Sequence, residues 1–284
     1  MDVIGAATDL SRVMAGRRTS VGDVGLVPTM GALHEGHASL IRRARAERAV
    51  VAVSIFVNPL QFGPDEDLAR YPGDRSKDLA FCEELGVDLV WSPSLEDFYP
   101  AGIALPSPDP GPVGDILEGE HRPGHFGGVL KAVHRLFDVV GSCAAYFGEK
   151  DAQQLFLVRR MVNELAMPVE IVPCPTMREP DGVARSSRNA YLSPEERAQA
   201  GCLFLALSEA AELARAGGRD ATVLVAAMAR EIGATPIASL DYASVVDEDT
   251  FEPVATIAGP ARALVAARFP SARLIDNLRL PTDR

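Results

Sequence analysis

The chain has 284 residues, of which 47% are hydrophobic and 24% charged. That length leads to an expectation of two domains, with enough apolar material for a core that needs neither metals nor cross-links. The net charge of −11 argues against a basic nucleic-acid surface, but leaves room for a local anion site, which needs only a few donors.

Along the first two-thirds, short apolar runs alternate with helical patterns. Residues 24–27 read as a strand, and 36–47 as a helix with Leu40, Ile41 and Ala44 on one face. Residues 50–57 (VVAVSIFV) are the β-branched run expected of a buried parallel strand. A helix over 75–85 stops at Gly86, and 87–91 forms the next strand. Residues 129–140 read as a helix, 144–147 as a strand, 151–164 as a helix and 169–172 as the last strand of the series. This alternation predicts an α/β domain over 1–175, a doubly wound, Rossmann-like parallel sheet. Such sheets bind ligands at the carboxyl ends of their strands, near the switch in strand order. Residues 100–128, rich in Pro and Gly, read either as a surface loop or as a lid over the site. A smaller α+β domain is expected over 176–284. Ser193, Pro194 and Glu196 make a capped helix start, and an Ala-rich helix continues toward residue 216. A second helix covers 221–232, and strand-like pieces follow at 240–246, 263–269 and 273–276.

Cys82, Cys143, Cys174 and Cys202 are scattered without metal-ligand spacing. They read as small buried hydrophobes in a reducing compartment. No charged start followed by an apolar segment marks a signal peptide, and no apolar run approaches the ~20 residues of a membrane span. A cytoplasmic location is therefore expected.

Four segments carry chemistry. In VPTMGALHEGH, between the first strand and the first long helix, His34 and His37 stand one turn apart. Gly36 lets a ligand approach the backbone, and the helix start offers unpaired N–H groups and a positive dipole end. Two imidazoles beside those donors suit a polyphosphate, although a capped helix with two surface histidines fits the string as well. No third ligand accompanies them, so no metal site is expected. In GVARSSRN, two hydroxyls and a guanidinium suit phosphate oxygens, and an ordinary polar linker is the plainer alternative. In FGEKDAQQ, Lys150 can neutralise a phosphate, Asp151 can accept from a ribose hydroxyl, and Gln154 can bind a small polar substrate. A helix start with a surface ion pair also fits. In FVNPLQF, Gln61 can bind a hydroxyl or carboxylate, and Asn58-Pro59 also fits a plain turn. Three of these segments end a predicted parallel strand and the fourth follows the last one, a joint placement that favours a nucleotide site.

The HxGH turn with a later Ser-Ser-Arg loop resembles the HIGH/KMSKS nucleotidyltransferases. Within them, VPTMGALHEGH, SIFVNPLQFGPDEDLARYP, RPGHFGGV, FGEKDAQQL, DGVARSSRNAYLSPEER and the closing LVAARF and ARLIDN resemble the pantothenate synthetase family, in order and over nearly the whole chain. The resemblance implies ATP-dependent activation of pantoate as an acyl-adenylate, then capture by β-alanine with release of AMP. It implies that His34 and His37 contact the phosphates, with His37 the proton donor. Lys150, Ser186, Ser187 and Arg188 would hold them, and Lys150 and Arg188 would join the histidines as catalytic groups. The ATP-binding positions would comprise Met30, Gly31, Ala32, Leu33, His34, Glu35, Gly36 and His37, then Gly148, Glu149, Lys150 and Asp151, then Met177, and Arg185 with the Ser-Ser-Arg loop. Gln61 and Gln154 would bind pantoate with Met30 packed on it, and Gln61 would border β-alanine. Mg2+ with ATP and a homodimer are also implied. Arg185 departs from the family's usual Met or Leu, leaving its role open, and the helix near Lys131 and His134 is more polar than expected. Two further readings remain: a nucleotidyltransferase acting on another acceptor, which has no obvious use for Gln61 and Gln154, and a nucleotide-binding module without catalysis. The latter is expected to lack one of His37, Lys150 or Arg188.

Overall fold

The computed structural model describes residues 1–20, 23–64 and 66–281. In chain order it forms β1 (Asp2–Ile4), α1 (Ala7–Ser20), β2 (Val24–Thr29), α2 (Glu35–Glu47), β3 (Val50–Ile55), α3 (Arg75–Glu84), β4 (Leu89–Trp91), α4 (Leu95–Phe98), α5 (Glu118–His121) and α6 (His125–Val140). There follow β5 (Cys143–Gly148), α7 (Ala152–Glu164), β6 (Val169–Cys174), α8 (Pro194–Gln199), α9 (Cys202–Arg215), α10 (Ala221–Gly233), β7 (Ser239–Asp247), β8 (Ala261–Arg268) and β9 (Arg273–Arg279).

The described residues divide into two compact units, one of Met1–Glu149 with Gln154–Pro175 and one of Lys150–Gln153 with Thr176–Arg284. In the first, six strands pair in parallel in the order β1-β4-β3-β2-β5-β6, the doubly wound sheet that the alternation predicts. All six residues of β3 are buried, as a strand covered on both faces must be. Leu40, Ile41 and Ala44 of α2 pack on a core shared with Val27, Val53 and Tyr146. Strand order switches at β2, which lies between β3 and β5.

A proline shapes that switch. Val50 N donates to Asp23 O and Phe56 N to Thr29 O, so the odd-numbered peptide groups of this stretch face β3 and the even-numbered ones face β5. Pro28 therefore presents no N–H toward β5, and β2–β5 pairing stops at Leu26↔Ala145, whereas β2–β3 pairing continues to Thr29↔Ile55. The carboxyl ends of β2 and β5 are left unzipped where such folds bind ligands.

The second unit holds α8, α9, α10 and an antiparallel sheet in the order β7-β8-β9. Leu207, Leu224, Met228 and Val265 centre its core. Two expectations need correction. The Ala-rich helix is two helices, broken at Ala200 and Gly201, where glycine's low helix preference permits the turn. Residues 100–128 are not loop throughout: a 3-10 turn spans Pro112–Asp115, α5 follows, and α6 begins at His125 rather than 129. Of the glycines that hide the start of α6, Gly128 has a packing reason. A Cβ on Gly128 would stand 2.0 Å from Leu60 O, so only glycine admits the crossing of the 59–61 turn. All four cysteines are buried and free, and burial pushes the Cys82 thiol up to about 12. Among the described residues no helix is long and apolar enough to cross a membrane.

Candidate active site

At the end of β2 the chain turns sharply into α2. Gly31 and Ala32 take φ of +83° and +51°, the left-handed region that costs an alanine energy. One buried carboxylate holds this turn. Asp78, in the first turn of α3 and 4% exposed, accepts from Ala32 N at 3.0 Å and Leu33 N at 2.7 Å. A Cβ at Gly31 would meet Asp78 Oδ2 at 2.7 Å, so glycine there is a steric requirement. Leu33 packs its side chain on the apolar cluster beneath.

The two histidines cap the helix reciprocally. His34 is the N-cap, and its Nδ1 accepts from Gly36 N at 3.1 Å, while His37 Nδ1 accepts from His34 N at 3.3 Å. The rings lie 4.2 Å apart. A ring nitrogen that accepts an N–H bond carries no proton, so both imidazoles hold theirs on Nε2. The cap thus fixes ring orientation and tautomer together at the positive end of α2. Glu35 instead pairs with Arg42 at 2.8 Å on an exposed face.

Gln61 is set from two sides. Asn58, 2% exposed, donates to Gln61 Oε1 at 3.0 Å and to Gly128 O at 3.1 Å. Its Oδ1 accepts from Leu60 N at 3.2 Å and from the Tyr99 hydroxyl at 2.9 Å. With its oxygen committed to Asn58, Gln61 turns Nε2 to Met30 Sδ at 3.0 Å. Its carbonyl lies 2.8 Å from His125 Nδ1, while Arg122 stands 2.9 Å from His125 Nε2 and grips both oxygens of Glu66 at 2.7 Å. Burial, with the Arg122 charge, pulls His125 down to about 4, so it is neutral here. Gly148 ends β5, Glu149 follows it, and Gln154 sits half-buried in the first turn of α7.

The second unit gathers the remaining candidates. Lys150 pairs with Asp151 at 3.3 Å. Arg185 N donates to Met177 O at 2.9 Å, placing these two residues side by side, and the Arg185 guanidinium binds Glu179 at 3.0 Å. Ser186 caps the 3-10 turn Ser187–Tyr191, its Oγ accepting from Arg188 N at 3.3 Å, and Asn189 ties the loop to Ala184 O at 3.1 Å.

The profile of the family described as Pantoate-beta-alanine ligase matches residues 2–279. The chain belongs to the pantoate-beta-alanine ligase family. A pantothenate synthetase of Roseiflexus sp. (strain RS-1) is 51% identical over 270 residues, 95% of this chain and 97% of that one. The crystal structure of pantothenate synthetase from Thermus thermophilus superposes with a TM-score of 0.92 at 47% identity, covering 99% of this chain and all of the other. The pantoate-beta-alanine ligase of Francisella tularensis, crystallised with beta-gamma ATP and beta-alanine, superposes with a TM-score of 0.79 at 32% identity over 98% of this chain and 97% of that one. The fold is thus that of the family's solved members.

Sequence reasoning gave no role to the residues that support this site. Glu66, Arg122 and His125 lie within strings that carry the family resemblance, whereas Asp78 and Tyr99 lie outside every such string. Asn58 was open to reading as a plain turn residue. The signal available was a polar residue within an apolar helical pattern, as at Asp78 beside Leu79 and Cys82.

Proposed function

We propose that the chain joins pantoate to β-alanine at the expense of ATP, through a pantoyl-adenylate. The observation that carries this reading is the reciprocal histidine cap at the end of β2, the strand where strand order switches, in a chain matched to the ligase family over residues 2–279. A pantoate carboxylate oxygen attacks the α-phosphorus, the bond to pyrophosphate breaks, and pantoyl-adenylate forms. The β-alanine amine then attacks the acyl carbon, loses a proton, and AMP leaves.

Attack at phosphorus demands in-line positioning and stabilised equatorial charge more than covalent help. The Nε2–H groups of His34 and His37 and the start of α2 supply fixed donors that need no reorganisation, and His37 is the proton donor to the departing pyrophosphate. Lys150, Ser186, Ser187 and Arg188 hold the phosphates. Gly148 and Asp151 meet ribose and adenine, Met177 lines the adenine, and Glu149 and Arg185 are among the ATP-binding positions. Met30, Gln61 and Gln154 receive pantoate, with β-alanine next to Gln61. Residues 1–175, apart from Lys150–Gln153, form the nucleotide- and pantoate-binding domain, and 176–284 with that short turn the domain that carries the Ser-Ser-Arg loop. The donors are imidazole, amide, hydroxyl, ammonium and guanidinium groups, which suit phosphate oxygens. Mg2+ would be carried by the triphosphate that these donors hold, and would supply charge neutralisation there. The protein works in the cytoplasm as a homodimer.

The test is exchange of labelled pyrophosphate into ATP. Exchange that requires pantoate but not β-alanine supports the reading. Exchange indifferent to pantoate, or AMP formation only with another acid, refutes it.

A further inference from the structure

The second unit contains a polar network that the reaction as described does not use. Asn277, on β9 and 4% exposed, donates its Nδ2 to Lys150 O at 2.8 Å, and its Oδ1 accepts from Arg262 at 2.6 Å. Arg262 is anchored in turn by Glu248 at 2.8 Å. The neighbouring Asp276, also 4% exposed, receives both terminal nitrogens of Arg178, at 2.5 and 3.0 Å, and the Asn277 amide at 2.7 Å. Arg178 also donates to Gly182 O at 3.0 Å and Asn277 O at 3.2 Å, and lies over the Phe204 ring at 4.5 Å. It pairs across a bridge with Ala184, two residues before Ser186.

Two adjacent residues of one strand thus grip two distant pieces of chain: the turn that carries Lys150 and the hairpin that leads into Ser186, Ser187 and Arg188. Burying an amide and a carboxylate is costly unless every polar atom finds a partner. Satisfied networks of this kind hold one geometry sharply. An apolar pair would serve packing at least as well.

We propose that Asn277 is a positioning residue for ATP, fixing the Lys150 turn in register with the Ser-Ser-Arg hairpin that Asp276 anchors through Arg178. This rests on the reading that Lys150 and the hairpin hold phosphate.

The discriminating variant is Asn277→Asp. It is isosteric and keeps an oxygen for Arg262, but sets an acceptor in place of the donor to Lys150 O. Asn277→Leu removes both. Affinity for a non-hydrolysable ATP, measured by calorimetry on the full chain, is expected to fall about tenfold in N277D, the weight of one buried hydrogen bond, and further in N277L. The KM for pantoate in pyrophosphate exchange stays within twofold, and N277D melts below the parent, as the lost buried bond requires, while staying folded at the assay temperature. Unchanged ATP affinity in folded N277D, or equal losses for ATP and pantoate, overturns the proposal. The parent, assayed alongside, keeps the two readings apart: absence of pantoate-dependent exchange in it counts against the proposed reaction, whereas the calorimetry still judges Asn277. Should neither variant fold, hydrogen exchange on the parent decides. The ATP analogue is expected to slow exchange at residues 150–153 and 273–279 together, and protection of only one segment contradicts the coupling.

Discussion

Replacing Asp78 by asparagine alters one atom of a side chain that meets no substrate in this account, yet it is expected to damage adenylation. The carboxylate receives Ala32 N at 3.0 Å and Leu33 N at 2.7 Å, at a turn whose Gly31 and Ala32 both have positive φ. Hydrogen bonds to a charged group contribute about 1.5–3 kcal/mol each. Asparagine retains one acceptor and turns an NH2 group against the second amide, so one bond is lost and the other weakened. A loss of about 2 kcal/mol follows, equivalent to roughly 30-fold in rate if it falls on the transition state. The melting temperature drops by about 4–8 °C. Pyrophosphate exchange at varied ATP, with a thermal melt on the same sample, measures both. The expected pattern is a fall in kcat/KM for ATP in a protein still fully folded at the assay temperature. Parental kcat and KM in Asp78→Asn would refute the idea that this carboxylate shapes the catalytic turn.

The histidine cap separates structure from chemistry. His37→Asn keeps an acceptor for His34 N and is expected to melt near the parent while losing at least 100-fold in exchange, the usual weight of one transition-state donor. His37→Ala loses the cap as well, at about 1 kcal/mol of stability. His125 has a folded pKa near 4 against about 6.5 when unfolded. Its contribution to stability is therefore complete above pH 6.5 and lost as pH falls toward 4, up to about 3 kcal/mol. Urea melts of His125→Asn and the parent between pH 7 and pH 4 should show a shallower decline in the variant; equal slopes would assign the acid sensitivity elsewhere. The four buried thiols are expected to be silent to an aromatic disulfide reagent until the chain is denatured, and prompt reaction of any one would contradict its burial.

Most of the sheet was legible because five of its strands are apolar runs separated by helical patterns, which burial on both faces imposes locally; β1, three residues long and exposed at Asp2 and Val3, offers no such run and was missed. The histidine pair was legible because the cap is local as well, formed by residues three apart. What escaped the sequence is non-local. Asp78 reaches a turn more than forty residues upstream, and Asn277 reaches Lys150 across well over a hundred. Nothing in the neighbourhood of either announces the partner. The start of α6 was hidden for a related reason, since Gly127 and Gly128 weaken the helical signal, and the need for Gly128 lies in the distant Leu60 carbonyl. The break at Gly201 was passed over because alanines on both sides sustain the helical pattern through a single weak position.

The central claim is that a pantoate carboxylate oxygen attacks the α-phosphorus of ATP. Pantoate labelled with 18O in its carboxylate, incubated with the enzyme, ATP, Mg2+ and β-alanine, tests it directly. One labelled oxygen per turnover is predicted in the phosphate of AMP, with none in pyrophosphate. Label in pyrophosphate or orthophosphate, or AMP that stays unlabelled while pantothenate accumulates, would contradict the account.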